Sequence, residues 1–174
     1  MVSRWLYVGL ILLVVVQRSS ELRVAKRNER LARAAGAVEA GAGHYPWMVT
    51  IHTLFLVSCV LEVWLLERPF APRAAGAMLL LLGVATALRY WTISTLGERW
   101  TTRILVRPGV PLVAEGPFRW LRHPNYLAVV IEIAALPLVH GAWLTAAVFS
   151  AANAALLTVR IRAENAALES HAAG

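Results

Sequence analysis

Charge is scarce in this chain. Only 16% of its 174 residues are Asp, Glu, Lys or Arg, against about 25% in an average soluble domain. Hydrophobic residues make up 59% and the mean hydropathy is +0.60. A water-soluble fold this short could not hide so much apolar surface, so the composition points to one compact membrane domain. Cysteine is nearly absent. Cys59 stands alone inside an apolar run, which excludes an internal disulfide and a Cys-based metal site and leaves a small buried hydrophobe. No cluster of His, Cys or acidic residues has metal-ligand spacing. There is no internal repeat, and no low-complexity segment beyond alanine-rich patches.

What charge there is has one dominant sign. The net charge is +7, but the basic residues lie between apolar runs, where membrane topology explains them better than nucleic-acid binding does. Trp5 to Val16 is the first apolar run, and helix is expected to continue to Leu22 with Arg18 snorkelling to the interface. A signal peptide is the rival reading, without a small-residue cleavage site to support it. Residues 17–44 are polar and basic and end in Gly36, Gly41 and Gly43. They read as a helix lying along the membrane surface followed by a loop. Further spans are expected at about 45–66, 74–96, 124–139 and 142–159, the last two forming a helical hairpin broken at His140-Gly141. Gly97 to Arg122 is a long polar connection rich in proline and glycine, and the tail starts at Arg160. The expected fold is an all-α integral membrane protein of about five transmembrane helices. It is a single domain, with three spans in residues 1–96 and a second half in 97–174.

Basic residues orient the chain. Segment 17–44, loop 97–122 and the tail fall on one side and carry six, five and two Lys/Arg residues, thirteen in all; the other side has Arg4, Arg68 and Arg73. The excess marks the first side as cytoplasmic and the N-terminus as external.

Two segments carry the chemistry. The first is Gly116-Pro117-Phe118-Arg119-Trp120-Leu121-Arg122-His123-Pro124-Asn125-Tyr126, where a cytoplasmic loop enters a membrane helix. Pro124 suits the first helical turn, and the open N–H groups and positive dipole end there attract an anionic group. A capped helix with an interfacial Arg/Tyr belt is the plain structural alternative. The second segment is Arg160-Ile161-Arg162-Ala163-Glu164. Arg160 and Glu164 share a helix face at i,i+4, where a surface ion pair is worth only about 0.3–0.5 kcal/mol.

Together, Gly-Pro-Phe-x-x-x-Arg-His-Pro-x-Tyr and the later Arg-Ile-x-x-Glu resemble the isoprenylcysteine carboxyl methyltransferase family, over about Leu96 to Leu168. The resemblance implies a five-helix membrane enzyme using S-adenosylmethionine. It implies cofactor contacts at His123, Pro124, Asn125 and Tyr126, at Phe118, and at the strip Val110, Pro111, Leu112 and Val113. It places Arg160 toward the substrate and Glu164 toward the cofactor; both are the expected catalytic residues. Asn165 stands where many relatives repeat the Glu. The N-terminal half, with Arg27-Asn28-Glu29-Arg30, Gly36-Ala37-Val38-Glu39 and Gly43-His44-Tyr45-Pro46-Trp47-Met48, is similar to a bacterial subgroup that O-methylates alkylpyrones or alkylresorcinols.

Methyl transfer from a sulfonium needs positioning of two reactants rather than a metal. A carboxylate acceptor is already ionised, whereas a phenol or enol can need a base, for which His44, Glu39 and His123 are candidates. Arg89, Glu132 and His52 fall at similar depth inside spans. They read either as the polar wall of a substrate cavity or as a structural Arg89–Glu132 pair. Glu62, near the opposite face, reads as a solvated interfacial carboxylate. The expected function is an S-adenosylmethionine-dependent O-methyltransferase acting on a lipophilic small molecule taken from the lipid bilayer, with no nucleic acid and no metal. The alternatives are an NADPH-dependent sterol-type reductase, which shares an Arg-His-Pro-Asn-Tyr segment but has a Lys/Tyr-rich nucleotide pattern missing here, and a non-catalytic scaffold.

Overall fold

The first helix sets the frame. α1 runs unbroken from Val2 to Ala34, about 50 Å at 1.5 Å per residue. Its buried residues Tyr7, Ile11, Val14, Glu21, Ala25 and Asn28 keep one 3–4 spacing throughout, with Arg18 in the same phase. The stripe thus continues straight from the apolar half into the basic half. No proline or glycine interrupts residues 10–35, so nothing turns the chain along the membrane surface. The separate surface helix expected over residues 17–44 is therefore corrected to the second half of α1. The helix stops in a Schellman motif: Ala37 N–H bonds Ala32 O at 3.0 Å, Gly36 N–H bonds Arg33 O at 3.0 Å, and Gly36 takes φ +81°, the left-handed geometry that glycine adopts freely.

A computed structural model describes residues 1–107 and 109–172 of the chain; Pro108, in the expected polar connection, and the last two residues of the expected tail lie outside the described residues. After α1 come a short strand β1 (Val38–Ala40), α2 (Tyr45–Leu65), α3 (Pro72–Leu96), a second strand β2 (Ile104–Val106), α4 (Pro124–Leu138) and α5 (Trp143–Ala172). Pro46, Pro72 and Pro124 all sit in first helical turns, where a missing N–H costs nothing. Helices α1, α2, α3 and α5 are long and apolar enough to cross a membrane; α4 is shorter, about 22 Å. The architecture is an all-α membrane bundle with four full spans and one short apolar helix.

The core lies between the helices near the α4–α5 turn. Tyr7, Ile11 and Val14 pack with Phe55, Cys59 and Val63 of α2 and with Ile133, Leu136 and Val139. Cys59 is fully buried, and Tyr7 donates to Leu136 O at 3.2 Å.

Each end of the bundle has its own closure. At one end, Glu62 is 7% exposed. It accepts from the Leu144 and Thr145 N–H groups at 3.2 and 2.6 Å and from Arg68 at 2.8 Å. It is a cap for the first turn of α5, which corrects the expectation of a solvated carboxylate. At the other end, β1 and β2 pair antiparallel, Val38 facing Val106 and Ala40 facing Ile104. Asn28 donates to Gly97 O and Trp100 O at 3.0 and 2.9 Å. Segment 17–44, loop 97–122 and the end of α5 therefore share one end, as the basic residues required. α5 does not stop at Arg160; it continues as helix past Glu164, because alanine, leucine and glutamate favour helix and no breaker intervenes.

Candidate functional site

Gly116 starts the site. Its φ is +55°, and a Cβ there would lie 2.4 Å from Thr95 Oγ1. The chain can thus pass close against the end of α3 only with glycine. Gly116–Arg119 form a 3₁₀ turn, and the chain then enters α4 at Pro124, with His123 O accepting from the Tyr126 and Leu127 N–H groups at 3.1 and 3.2 Å. This local geometry sets the His123 ring on Tyr126, centroids 5.2 Å apart and planes 20° off parallel.

The end of α5 meets this turn. Tyr126 donates its hydroxyl to Glu164 Oε2 at 2.6 Å, and His123 Nδ1 lies 3.6 Å from the same oxygen. One turn earlier Arg160 is buried at 5% exposure, donating to Thr102 O and to Met48 Sδ, each at 3.0 Å. Its guanidinium stands 5.8 Å from the Tyr126 ring centroid, and its Nε is buried without a partner among the described residues. The two residues are thus not a surface ion pair: each faces different groups, and neither bonds the other.

These side chains line one end of a cavity of about 1030 Å³, at the top of the range for small-molecule sites. The strip Val110, Pro111, Leu112 and Val113, with Phe118, His123, Pro124, Asn125, Tyr126, Arg160 and Glu164, all border it, as do Arg89, Glu132 and His52. Farther in, the walls become apolar: Val14, Val15, Phe55, Leu56 and Ile133.

Between the two ends lies a buried ion cluster. Arg89 is 6% exposed; it donates to Glu132 Oε2 at 2.7 Å and to Asn125 Oδ1 at 3.3 Å, and lies 4.0 Å from Glu21. Arg18 bonds both Glu21 and Glu132. The expected Arg89–Glu132 pair forms, and both residues border the cavity. Arg18 does not snorkel outward as expected, because two carboxylates offer it charge-assisted bonds inside. Sequence reasoning missed Arg18 and Glu21 as members of this wall. The available signal was their i,i+3 opposite-charge spacing in phase with the buried stripe of α1.

Two expected participants lie elsewhere. His44 does not border the cavity. Gly41, with φ +63°, folds the chain so that a Cβ there would sit 2.1 Å from His44 Cε1, and the ring rests on that turn. Burial and then the Arg160 charge hold its pKa below the ordinary histidine value. Glu39 is bonded by Arg103 at 2.6 Å and by Arg33. Burial opposes its ionisation, but the bonds from Arg103 and Arg33 outweigh that and keep the carboxyl below the usual range, which makes it a poor base. Arg103 also pairs with Glu29 at 3.3 Å and stands 4.0 Å over the Tyr45 ring.

A family model described as the isoprenylcysteine carboxyl methyltransferase family matches residues 77–170, more than half of the chain and the part that holds α4, α5 and the loop before them. Among curated proteins, the chain is 44% identical over 162 residues to the uncharacterized protein YpbQ of Bacillus subtilis, covering 93% of this chain and 96% of that one. It is 27% identical over 156 residues to an uncharacterized protein of Haemophilus influenzae, covering 89% and 90% respectively.

Proposed function

This chain belongs to the isoprenylcysteine carboxyl methyltransferase family, and on that premise we propose that it is an S-adenosylmethionine-dependent O-methyltransferase for a lipophilic small molecule. The acceptor is isoprenylcysteine-like or alkylpyrone/alkylresorcinol-like, and the reaction takes place at the cytoplasmic face of a bacterial inner membrane, with the N-terminus outside. The observation that carries the reading is a cavity polar at one end and apolar at the other. Glu164, Tyr126 and His123 converge at its polar end, beside the start of α4.

The residues present fit the cofactor. Its amino acid part carries an ammonium and a carboxylate. Glu164 would hold the first, and the positive end of α4 would suit the second. Phe118 offers a flat apolar face to a purine, and Val110 to Val113 supply the adjoining wall. When bound, the cofactor supplies a methyl group on a sulfonium. Tyr126 fixes the Glu164 carboxylate by its 2.6 Å bond, so this acceptor needs no reorganisation when the ammonium arrives. Arg160 is fixed by Thr102 and Met48 and stands one turn away, toward the acceptor. The inner apolar walls would take the acceptor's alkyl chain, which arrives sideways from the bilayer while the cofactor arrives from the cytosol.

The test is ligand binding by the purified protein. S-adenosylmethionine should bind and NADPH should not. His123→Ala and Tyr126→Ala should each weaken that binding about tenfold or more, since a hydrogen bond to a charged group is worth about 1.5–3 kcal/mol. Binding of NADPH alone, or unchanged affinity in both folded variants, would overturn the proposal.

A further inference from the structure

Among the described residues, His52 is the one histidine on the cavity wall whose proton is placed by its own helix. Its Nδ1 lies 2.8 Å from Met48 O, and a carbonyl can only accept, so in the neutral ring Nδ1 carries the hydrogen. Nε2 is then a bare lone pair, and among the described residues it has no hydrogen-bond partner. Of the wall's carboxylates, Glu98 is exposed in the turn beyond α3, and the deeper ones are engaged. Glu132 and Glu21 are held by Arg18 and Arg89, and Glu164 accepts from Tyr126. His123 is stacked on Tyr126 within the segment assigned to the cofactor.

The position also suits an acceptor rather than the cofactor. In-line displacement puts the nucleophile opposite the leaving sulfur, so a base for the acceptor belongs on the side away from the cofactor segment. His52 is on α2, whereas that segment belongs to α4, α5 and the loop before them. It lies one helical turn, about 6 Å, below Met48, whose Sδ touches Arg160. The charged groups that face it are Glu132 on α4, Arg89 on α3 and Arg18 on α1.

We propose that His52 is the general base of this enzyme and that its acceptor is therefore a neutral, ionisable hydroxyl, a phenol or an enol, carried on an alkyl chain. This rests on the methyltransferase reading. The acceptor O–H gives its proton to Nε2, leaving an imidazolium beside Glu132. The oxygen then forms the bond to the methyl group as the carbon–sulfur bond breaks and its electron pair stays on sulfur. The imidazolium later releases one proton to water, so each turnover yields a methyl ether, a neutral thioether and one proton. A carboxylate acceptor would have no use for this group.

The experiment uses the full chain in lipid nanodiscs with two alkylated acceptors, a weakly acidic phenol and an ortho-nitrophenol. In turnover, His52→Gln should lose on the order of a hundredfold or more with the weakly acidic alkylphenol. It should lose far less with the nitrophenol at a pH where that acceptor is already ionised, with unchanged affinity for S-adenosylmethionine as proof of folding. A structural role would slow both acceptors alike, and that result overturns the proposal. Methylation by wild type of a long-chain carboxylate but not of phenols overturns it too, and decides the matter even if the variant fails to fold. Failure of wild type to bind S-adenosylmethionine would instead defeat the methyltransferase reading, and is read separately by calorimetric titration of the cofactor.

Discussion

Arg160 and Glu164 look equivalent in a helical projection and are not equivalent in space. Arg160 is buried and bonded to Thr102 and Met48, while Glu164 is bonded by Tyr126. Their replacements should therefore diverge. Glu164→Ala should mainly weaken S-adenosylmethionine binding, about tenfold, as loss of a charge-assisted bond implies. Arg160→Ala should mainly raise KM for the acceptor, and Arg160→Lys should not restore it fully, because an ammonium lacks the planar fork that reaches two partners. Calorimetric cofactor titrations alongside acceptor kinetics separate the two. Identical small effects from all three variants would mean that the roles lie on other residues. The residue types were legible in the sequence through their family pattern. Their partners were not, because Thr102 and Met48 carry no motif and reach Arg160 only through packing.

At the scale of elements, the β1–β2 clasp and the Glu62 cap close opposite ends of the bundle, and each has its own prediction. Glu39 holds the clasp through Arg103 and Arg33, which keep its carboxyl below the usual range against the cost of burial. A depressed folded-state pKa contributes stability above the unfolded carboxylate value, and that contribution is lost as pH falls through the folded one. Protection of residues 38–40 and 104–106 from hydrogen exchange, relative to the intrinsic rate at each pH, should therefore fall on acidification in wild type. In Glu39→Gln that protection should be low already at neutral pH and change little. Glu62→Ala removes a carboxylate that satisfies two N–H groups of α5 and pairs with Arg68. It should cost about 2–3 kcal/mol of stability, seen as a lower unfolding temperature in detergent. Cofactor affinity should stay near wild type, since the cap lies at the far end from Glu164. The boundaries of α2, α3 and α4 were readable from proline positions and apolar runs. The length of α1 was also written in the sequence, as an unbroken 3–4 stripe from Tyr7 to Asn28. Polarity changes at Gln17 but the phase of the buried stripe does not, and packing follows the phase.

For the whole molecule, topology is the quantity to measure. Segment 17–44, loop 97–122 and the end of α5 meet at one end, and the Arg68–Pro72 turn lies at the other. In a Cys59-free background, single cysteines at positions 70 and 110 should be labelled from opposite sides of the membrane, position 110 from the cytosol. Labelling of both from one side would contradict the arrangement. The two ends are bridged by the Arg18–Glu21–Glu132–Arg89 cluster, two positive and two negative groups on three helices. Its balance explains how four charges stay inside a membrane bundle: each is paired, and removal of one would leave a buried charge without compensation.

The sequence by itself determined the family, the all-α membrane class and the boundaries of α2, α3 and α4. Hydropathy, helix-breaking residues and charge asymmetry act locally along the chain, and a motif is by nature a local pattern. Tertiary structure alone decided which side chains share the cavity. His44 and His52 are both histidines near the start of α2, eight residues apart. A left-handed turn at Gly41 folds the first back onto the chain, while two helical turns carry the second onto the cavity wall opposite Arg89 and Glu132. No spacing rule separates them, because the difference arises from the packing of α2 against α1 and α4, helices brought together by contacts between residues more than a hundred positions apart, such as Arg18 and Glu132.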